Sequence, residues 1–246
     1  MLPTSLDHAQ PADTDSPGLR NIERVNLTEE VHRELARGLS SGRFLPGAKL
    51  GIRDLAEEMG ISPTPVREAL QQLVAEGALT QAAGRSFRVP ELGPDDYREL
   101  RHLRQMLEGE AAALAAPRIP VSAIDQLEAM HQRLADAKAQ ANFKQAMFHN
   151  QEFHLRVCAE SGAQRLLRIV EGLWLQMGPL LNMLYTRSGV PGPVQPRHGH
   201  LLLIDAFRAR DPEAARRALV DDIAGGSNEI LAALAPRRSA GKRAGE

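Results

Sequence analysis

Residues 60–70 read GISPTPVREAL, and this stretch decides the fold of the N-terminal part of the chain. Gly60 ends one segment of helical apolar spacing, and Ser62 then offers a hydroxyl as the N-cap of the next helix. Pro63 falls at the first helical position, where its missing N–H costs nothing. Apolar residues from Val66 onward give this helix a buried stripe, so the stretch predicts two helices joined by a tight turn.

Shorter elements flank this turn on both sides. Apolar residues at helical spacing predict one helix that ends at Gly42 and a second that ends at Gly60. Beyond the third helix, residues 78–81 and 87–90 are short and apolar enough to form two strands around a turn at Ala83-Gly84. Three helices followed by a two-stranded wing are typical of a winged helix-turn-helix, which we predict for residues 21–90.

The face of the third helix opposite its buried stripe stays free for DNA. An arginine near the N-terminal end of such a recognition helix is suited to a bidentate contact with guanine or to a phosphate contact. The predicted DNA-binding residues are Arg53, Ser62, Thr64, Arg67, Gln71, Arg85 and Arg88. The alternative is that these arginines only solvate a small helical subdomain.

Composition supports two helical domains in a reducing compartment. The 246 residues suffice for two small domains, and an aromatic content of only 4% favours helix over sheet. A single cysteine excludes an internal disulfide framework and suits the cytoplasm. The chain shows neither a signal peptide nor an apolar run long enough to span a bilayer, so we expect no membrane partner. The net charge of −1 is that of a small DNA-binding unit fused to a neutral sensor.

The predicted domain organisation follows the changes in pattern along the chain. Residues 1–20 lack periodicity and are predicted to be a disordered leader. Residues 91–93 form a linker, and residues 94–235 show long amphipathic segments broken by Pro or Gly, which predict an all-helical domain. Residues 236–246 are predicted to be a disordered basic tail. The predicted fold class is therefore mainly α, a winged helix-turn-helix followed by a helical bundle.

Polar residues interrupt apolar stripes on three of the predicted helices. Asn150 and His154 stack on a helix of about residues 142–161, His200 lies on the next-to-last helix, and Asp222 lies on the last. Buried polar groups need partners, and a divalent metal ion can serve all three helices of a bundle at once. The alternative is a pair of core histidines that bond to each other or to carbonyl groups.

Two arginines on the first helix of the second domain are candidates for effector binding. Arg101 and Arg104 lie on this helix, and Arg104 is near its apolar side. A guanidinium that points into the domain would bind an anionic effector such as a carboxylate. The alternative for Arg104 is a salt bridge with Glu108, four residues further on.

These motifs resemble a known family along most of the chain. LPGAKL at 45–50, DLA at 54–56, the quoted stretch at 60–70 and EG at 76–77 resemble the DNA-binding domain of the GntR family. RQMLE at 104–108, FH at 153–154 and FRARD at 207–211 resemble its FadR-type, or FCD, effector domain. The family often has arginine where Pro63 stands and glycine where Ser86 stands, so DNA contacts are not transferable at these positions.

The resemblance implies a homodimer that binds a short palindromic operator and responds to a small metabolite. In metal-binding FCD-type domains the ligands are an Asp or Asn followed by three histidines. By position these ligands are Asn150, His154 and His200, with Asp222 in place of the last histidine. Two histidines and a carboxylate suit zinc, iron, nickel or manganese.

The leading hypothesis is therefore a ligand-responsive DNA-binding regulator that is not an enzyme. One alternative is a metalloenzyme that uses His154, His200 and Asp222 as an open triad, although no general base is evident beside them. Another is a helical interaction module that has lost its contact with DNA.

Overall fold

The computed structural model describes residues 27–81, 86–188, 199–225 and 227–234. The predicted leader, the predicted basic tail, the predicted turn at Ala83-Gly84 and the predicted DNA contact Arg85 lie outside the described residues.

The described residues are mostly helical, which confirms the predicted fold class. The elements, in chain order, are α1 Leu27–Ser40, β1 Lys49–Leu50, α2 Ile52–Met59, α3 Pro63–Ala75, β2 Thr80–Gln81, β3 Phe87–Arg88, α4 Pro94–Ala115, α5 Val121–Ala139, α6 Phe143–Glu160, α7 Gln164–Ser188, α8 Gly199–Arg208, α9 Pro212–Gly225 and α10 Ser227–Leu234. Asp222 lies on α9, and α10 follows it, so the prediction that Asp222 lies on the last helix is wrong.

The helix-turn-helix forms around a left-handed residue at its turn. Gly60 has φ of 66° and caps α2, and its N–H bonds the carbonyl groups of Ala56 and Glu57. Glycine adopts this conformation without the strain that a Cβ atom would add. Ser62 and Pro63 occupy the predicted N-cap and first helical positions, but the Ser62 hydroxyl makes no capping hydrogen bond, so that part of the prediction is wrong.

The wing is a three-stranded sheet with the order β1-β3-β2, instead of the two strands predicted. Strand β1 pairs antiparallel with β3, with Lys49 opposite Arg88, and Thr80 of β2 pairs with Arg88 on the other side. A strand of two residues carries no alternating pattern, so β1 could not be predicted from the sequence.

The second domain is a helical bundle in which α4 packs mainly against α9, and α8 also packs against α9. Helix α6 lies between α5 and α7 and also contacts α4. The core of this bundle contains Phe153, Leu203 and Phe207, which are fully buried. No helix among the described residues is both long and apolar enough to cross a membrane.

Helix α7 joins the two domains. Its residue Leu175 packs into the hydrophobic core of the winged helix-turn-helix. A Cβ atom on Gly178 would lie only 3.0 Å from the Cα atom of Ser40, so the C-terminal end of α1 lies close to the middle of α7. The side-chain amide of Asn182 donates to the Ser40 carbonyl over 2.7 Å. The DNA-binding part is thus anchored on a helix of the second domain.

Candidate DNA-binding surface and candidate metal centre

The exposed face of α3 displays most of the predicted recognition residues. Ser62 at the N-cap, and Thr64, Arg67 and Gln71 on the helix, are all exposed, whereas Val66, Ala69 and Leu70 are fully buried. The neighbouring Glu68 accepts a 2.7 Å hydrogen bond from Thr28 of α1. Among the described residues Arg67 has no acidic partner, so its guanidinium is available to a nucleic acid.

Other basic groups flank this face on α2 and in the wing. Arg53 is exposed on α2. Arg88 of β3 is half-buried and donates to the Gly47 carbonyl over 3.4 Å, which directs it along the sheet. Lys49, which is exposed opposite Arg88, was not predicted as a DNA contact, because its strand β1 was not predicted. The wing therefore adds positive charge beside the recognition helix.

Three helices bring the predicted metal ligands together inside the bundle. His154 of α6 and His200 of α8 are buried, and the side chain of Asp222 on α9 is only 12% exposed. The Nε2 atoms of the two histidines are 3.4 Å apart. The Oδ2 atom of Asp222 lies 3.2 Å from the first nitrogen and 3.6 Å from the second. Their donor atoms lie within 4.8 Å of one another, so the three residues can bind a single ion.

The opposite side of His154 is held by a buried carboxylate. Its Nδ1 atom lies 2.6 Å from Oε2 of Glu108, a residue of α4 that is fully buried. Because an ionised carboxylate only accepts hydrogen bonds, the Nδ1 atom must donate and therefore carries a proton. The Nε2 atom of His154 is then the one that faces Asp222.

Arg104 completes this buried chain of charges. Its guanidinium makes an ion pair with Glu108, and its Cζ atom lies 3.8 Å from the ring centroid of Trp174. The structure therefore adopts the salt bridge with Glu108, which the sequence left as one of two alternatives for Arg104. The guanidinium is also 4.0 Å from the sulfur of Met177.

The pKa values of Glu108 and His154 follow from opposite charges that are buried away from water. Burial raises the pKa of Glu108, but the charges of Arg104 and His154 lower it more, and the pKa lies at about 2. Burial lowers the pKa of His154, yet Glu108 and Asp222 together raise it above its ordinary value. Negative charge therefore surrounds this imidazole on two sides.

The helices that carry this centre also carry the remaining predicted residues. His200 stacks on Phe153, with ring centroids 3.7 Å apart and planes inclined by 4°. Asn150 is half-buried on α6, one turn before His154. Arg101 is partly exposed, but its Nε atom is buried and has no hydrogen-bond partner among the described residues.

A winged helix-turn-helix joined to a helical domain with a buried polar centre defines a class of DNA-binding regulators. The model of the bacterial regulatory proteins of the gntR family matches residues 27–89, and that of the FCD domain matches residues 99–225. The chain therefore belongs to the GntR family, in the group whose members carry an FCD domain.

Two curated relatives span most of the chain. One is the HTH-type transcriptional regulator McbR of Escherichia coli strain K12, 34% identical over 205 residues, which cover 83% of this chain and 93% of the relative. Another is a probable D-xylose utilization operon transcriptional repressor of Paenarthrobacter nicotinovorans, 29% identical, with 83% and 89% of the two chains covered. The solved structure of E. coli McbR/YncC superposes with a TM-score of 0.77 at 33% identity, covering 85% of this chain and 99% of that one.

These findings confirm that the chain is a transcription regulator of the GntR family with an FCD effector-binding domain, and not an enzyme. The metalloenzyme alternative and the alternative of a module without DNA binding are set aside on this basis.

Proposed function

We propose that the protein regulates transcription as a homodimer on a palindromic operator, and that a small carboxylate metabolite controls its operator affinity. We further propose that the metabolite binds at a divalent ion held by His154, His200 and Asp222, with Asn150 as a further, neutral ligand. Candidates for the ion are Zn²⁺, Ni²⁺, Mn²⁺ and Fe²⁺. We expect the protein to work in the cytoplasm, where DNA and metabolites meet.

The observation that carries the metal proposal is the triangle of donor atoms. Its edges measure 3.4, 3.2 and 3.6 Å. A tetrahedral ion with ligand distances of about 2.0–2.1 Å requires donor atoms about 3.3 Å apart. The three donor atoms therefore have the spacing of one face of such a tetrahedron.

Charge supports the same proposal. The proton on Nδ1 of His154 leaves the lone pair of its Nε2 atom directed toward the Asp222 carboxylate. Two electron-rich atoms in contact require a positive charge between them, either a proton or a metal ion. A proton on Nε2 of His154 or a metal ion would supply this charge, and a divalent ion would also engage His200.

An ion with these three ligands and the weak, neutral ligand Asn150 can exchange Asn150 for a stronger ligand or expand its coordination, and an anionic effector would coordinate at that position. Arg101 is the predicted effector-binding residue with a donor to offer, because its buried Nε atom has no hydrogen-bond partner among the described residues. Arg104 pairs with Glu108 through Nε and Nη2, so the carboxylate of an effector would bind its remaining N–H groups or replace Glu108 as its partner. An effector with one or two carboxylates fits this arrangement of charge.

The DNA part of the proposal rests on the exposed face of α3 and the basic groups beside it. A homodimer presents two such helices, and a two-fold axis between them would match a palindromic site with half-sites about one helical turn apart.

The test combines DNA binding with ligand titration. Full-length protein is first screened by thermal stabilisation against small mono- and dicarboxylates, with and without each of the four candidate ions. Stabilising pairs are then titrated in mobility-shift assays on the DNA upstream of the protein's own gene, at about 0.1 M salt. Because the two sites are linked, we expect operator affinity to change by about 5–150-fold.

Paired variants separate the metal site from the fold. His154→Ala and His200→Ala should lose the bound ion and the ligand response while still binding the operator. His102→Ala changes an exposed histidine of α4 and serves as the control. Folded wild-type protein that binds none of the four ions would refute the metal site. A carboxylate that binds but leaves operator affinity unchanged is not the effector.

A further inference from the structure

We propose that Glu108 is a positioning residue that sets the ligand strength of His154 and thereby the affinity of the site for its ion. This inference rests on the proposed metal site and concerns a residue that is itself no ligand.

Geometry excludes Glu108 from the metal triangle and places it behind one corner. Its Oε2 atom bonds Nδ1 of His154, whereas Nε2 of the same ring is the atom that faces Asp222 and His200. The imidazole ring therefore separates the Glu108 carboxylate from the ion. A carboxylate, an imidazole and an ion in this order fix both the ring orientation and its tautomer.

The same hydrogen bond makes His154 a stronger ligand. A negative acceptor at Nδ1 draws its proton away from the ring and increases the electron density at Nε2. The contact is short, and Glu108 is completely buried, so water does not weaken it. His200 differs from His154 in its surroundings, because its ring stacks on the apolar ring of Phe153.

Arg104 keeps the Glu108 carboxylate charged at this depth. Without a cation, a buried carboxylate would take up a proton, and a neutral acid would hold the Nδ1 proton only weakly. The Arg104 guanidinium supplies the charge and is in turn held against the Trp174 ring. Charge balance and ring orientation are thus set by residues that never touch the ion.

The test uses the full chain with Zn²⁺ and Co²⁺ as probes and does not need the effector or DNA. Zn²⁺ affinity is measured by competition with a chromophoric chelator for the wild type, Glu108→Gln and Glu110→Gln. Glu110 is the matched control, because it lies on the same helix but pairs with Arg216 at the half-exposed surface. We expect Glu108→Gln to bind Zn²⁺ about 10–100-fold more weakly and Glu110→Gln to bind it like the wild type.

Two further readouts separate positioning from ligation and from loss of fold. The visible absorption of the Co²⁺-saturated protein should keep the intensity of the wild type in Glu108→Gln, since intensity reports the coordination number and the number of ligands is unchanged. The double variant Arg104→Gln/Glu108→Gln removes both buried charges together, which spares the fold. It should show the same weakened Zn²⁺ binding with native circular dichroism.

Each contrary result has its own meaning. Equal Zn²⁺ affinity in Glu108→Gln and wild type would overturn the inference while leaving the metal site intact. A Co²⁺ intensity at saturation that reports a different coordination number would overturn it in another way, because it would make Glu108 a ligand. Wild-type protein that binds neither ion would refute the proposed metal site and this inference together.

Discussion

The side-chain amide of Gln176 on α7 donates a 3.0 Å hydrogen bond to the backbone carbonyl of Glu76, the residue that caps the recognition helix α3. The carboxylate of Glu76 accepts a second hydrogen bond from His32 of α1. The C-terminal end of the recognition helix is therefore tied both to its own domain and to the effector domain. Trp174, which covers Arg104 of the buried charge chain, lies two residues from Gln176 on the same helix.

Removing the Gln176 amide should loosen the recognition helix from α7. Gln176→Ala leaves the Glu76 carbonyl without this partner, and we expect a loss of about 1 kcal/mol in the free energy of unfolding. Amide hydrogen exchange should increase at Gly77 and Ala78, which follow the helix. Gln126→Ala, at an exposed position of α5, is the control. Equal exchange in the two variants would show that the hydrogen bond does not hold the domains together.

Arg67 should carry a measurable share of operator binding. Arg67→Ala is expected to cost about 1–3 kcal/mol in specific binding, measured by titration of operator DNA at fixed salt. Arg133→Ala, which removes an exposed arginine of α5, should leave affinity unchanged. If the contact is to guanine, the loss disappears on operators mutated at that base. If it is to phosphate, the loss is uniform and the salt dependence falls instead. Unchanged affinity would remove Arg67 from the interface.

Backbone conformation alone should determine the effect of alanine at two glycines. A Cβ atom at Gly60 or at Gly225 would meet nothing within 4 Å, but only Gly60 has positive φ. Gly60→Ala should therefore destabilise the protein by about 1–2 kcal/mol, because left-handed backbone is strained for alanine. Gly225→Ala, at the end of α9, should be neutral or stabilising. Thermal melting measures both changes, and destabilisation of similar size at both sites would contradict the role of φ.

Acid should weaken the protein through Glu108. A carboxylate whose pKa is lowered in the folded state, here from 4.5 to about 2, stabilises the fold above the higher value. This contribution is lost as the pH falls from about 4.5 toward 2, where the folded protein also takes up the proton. Urea unfolding with chelator present should show that loss in wild type and a smaller one in Arg104→Gln/Glu108→Gln. An equal loss of unfolding free energy at low pH in the two proteins would show that Glu108 is not responsible for it.

Local patterns were sufficient to predict the DNA-binding domain. The spacing of Val66, Ala69 and Leu70 predicts a helix with a buried stripe. Gly60 marks the turn before this helix, and Pro63 marks its first residue. The wing was harder to predict, because a two-residue strand such as β1 is stabilised by pairing with a strand that is distant in the sequence. Whether the Ser62 hydroxyl makes a capping hydrogen bond could not be predicted either, because a serine can occupy the N-cap position without using its side chain as the cap.

The candidate metal site could be found because polar residues on apolar stripes are costly unless they share a partner. His154, His200 and Asp222 each lay on such a stripe, and the bundle brings them together. The contact from Glu108 to His154 could not be predicted, because the two residues are 46 positions apart. In the sequence Glu108 has a sufficient partner in Arg104, four residues earlier, and nothing indicates a second one.

Trp174, stacked beneath the Arg104 guanidinium, is the only tryptophan in the chain. Its ring centroid lies 5.4 Å from that of His154. The tryptophan fluorescence of the unmodified protein, excited selectively over its two tyrosines, therefore originates from a single emitter at the edge of the candidate metal centre. A paramagnetic ion such as Ni²⁺ bound there would quench this emission, so occupancy can be followed in real time without attaching a dye.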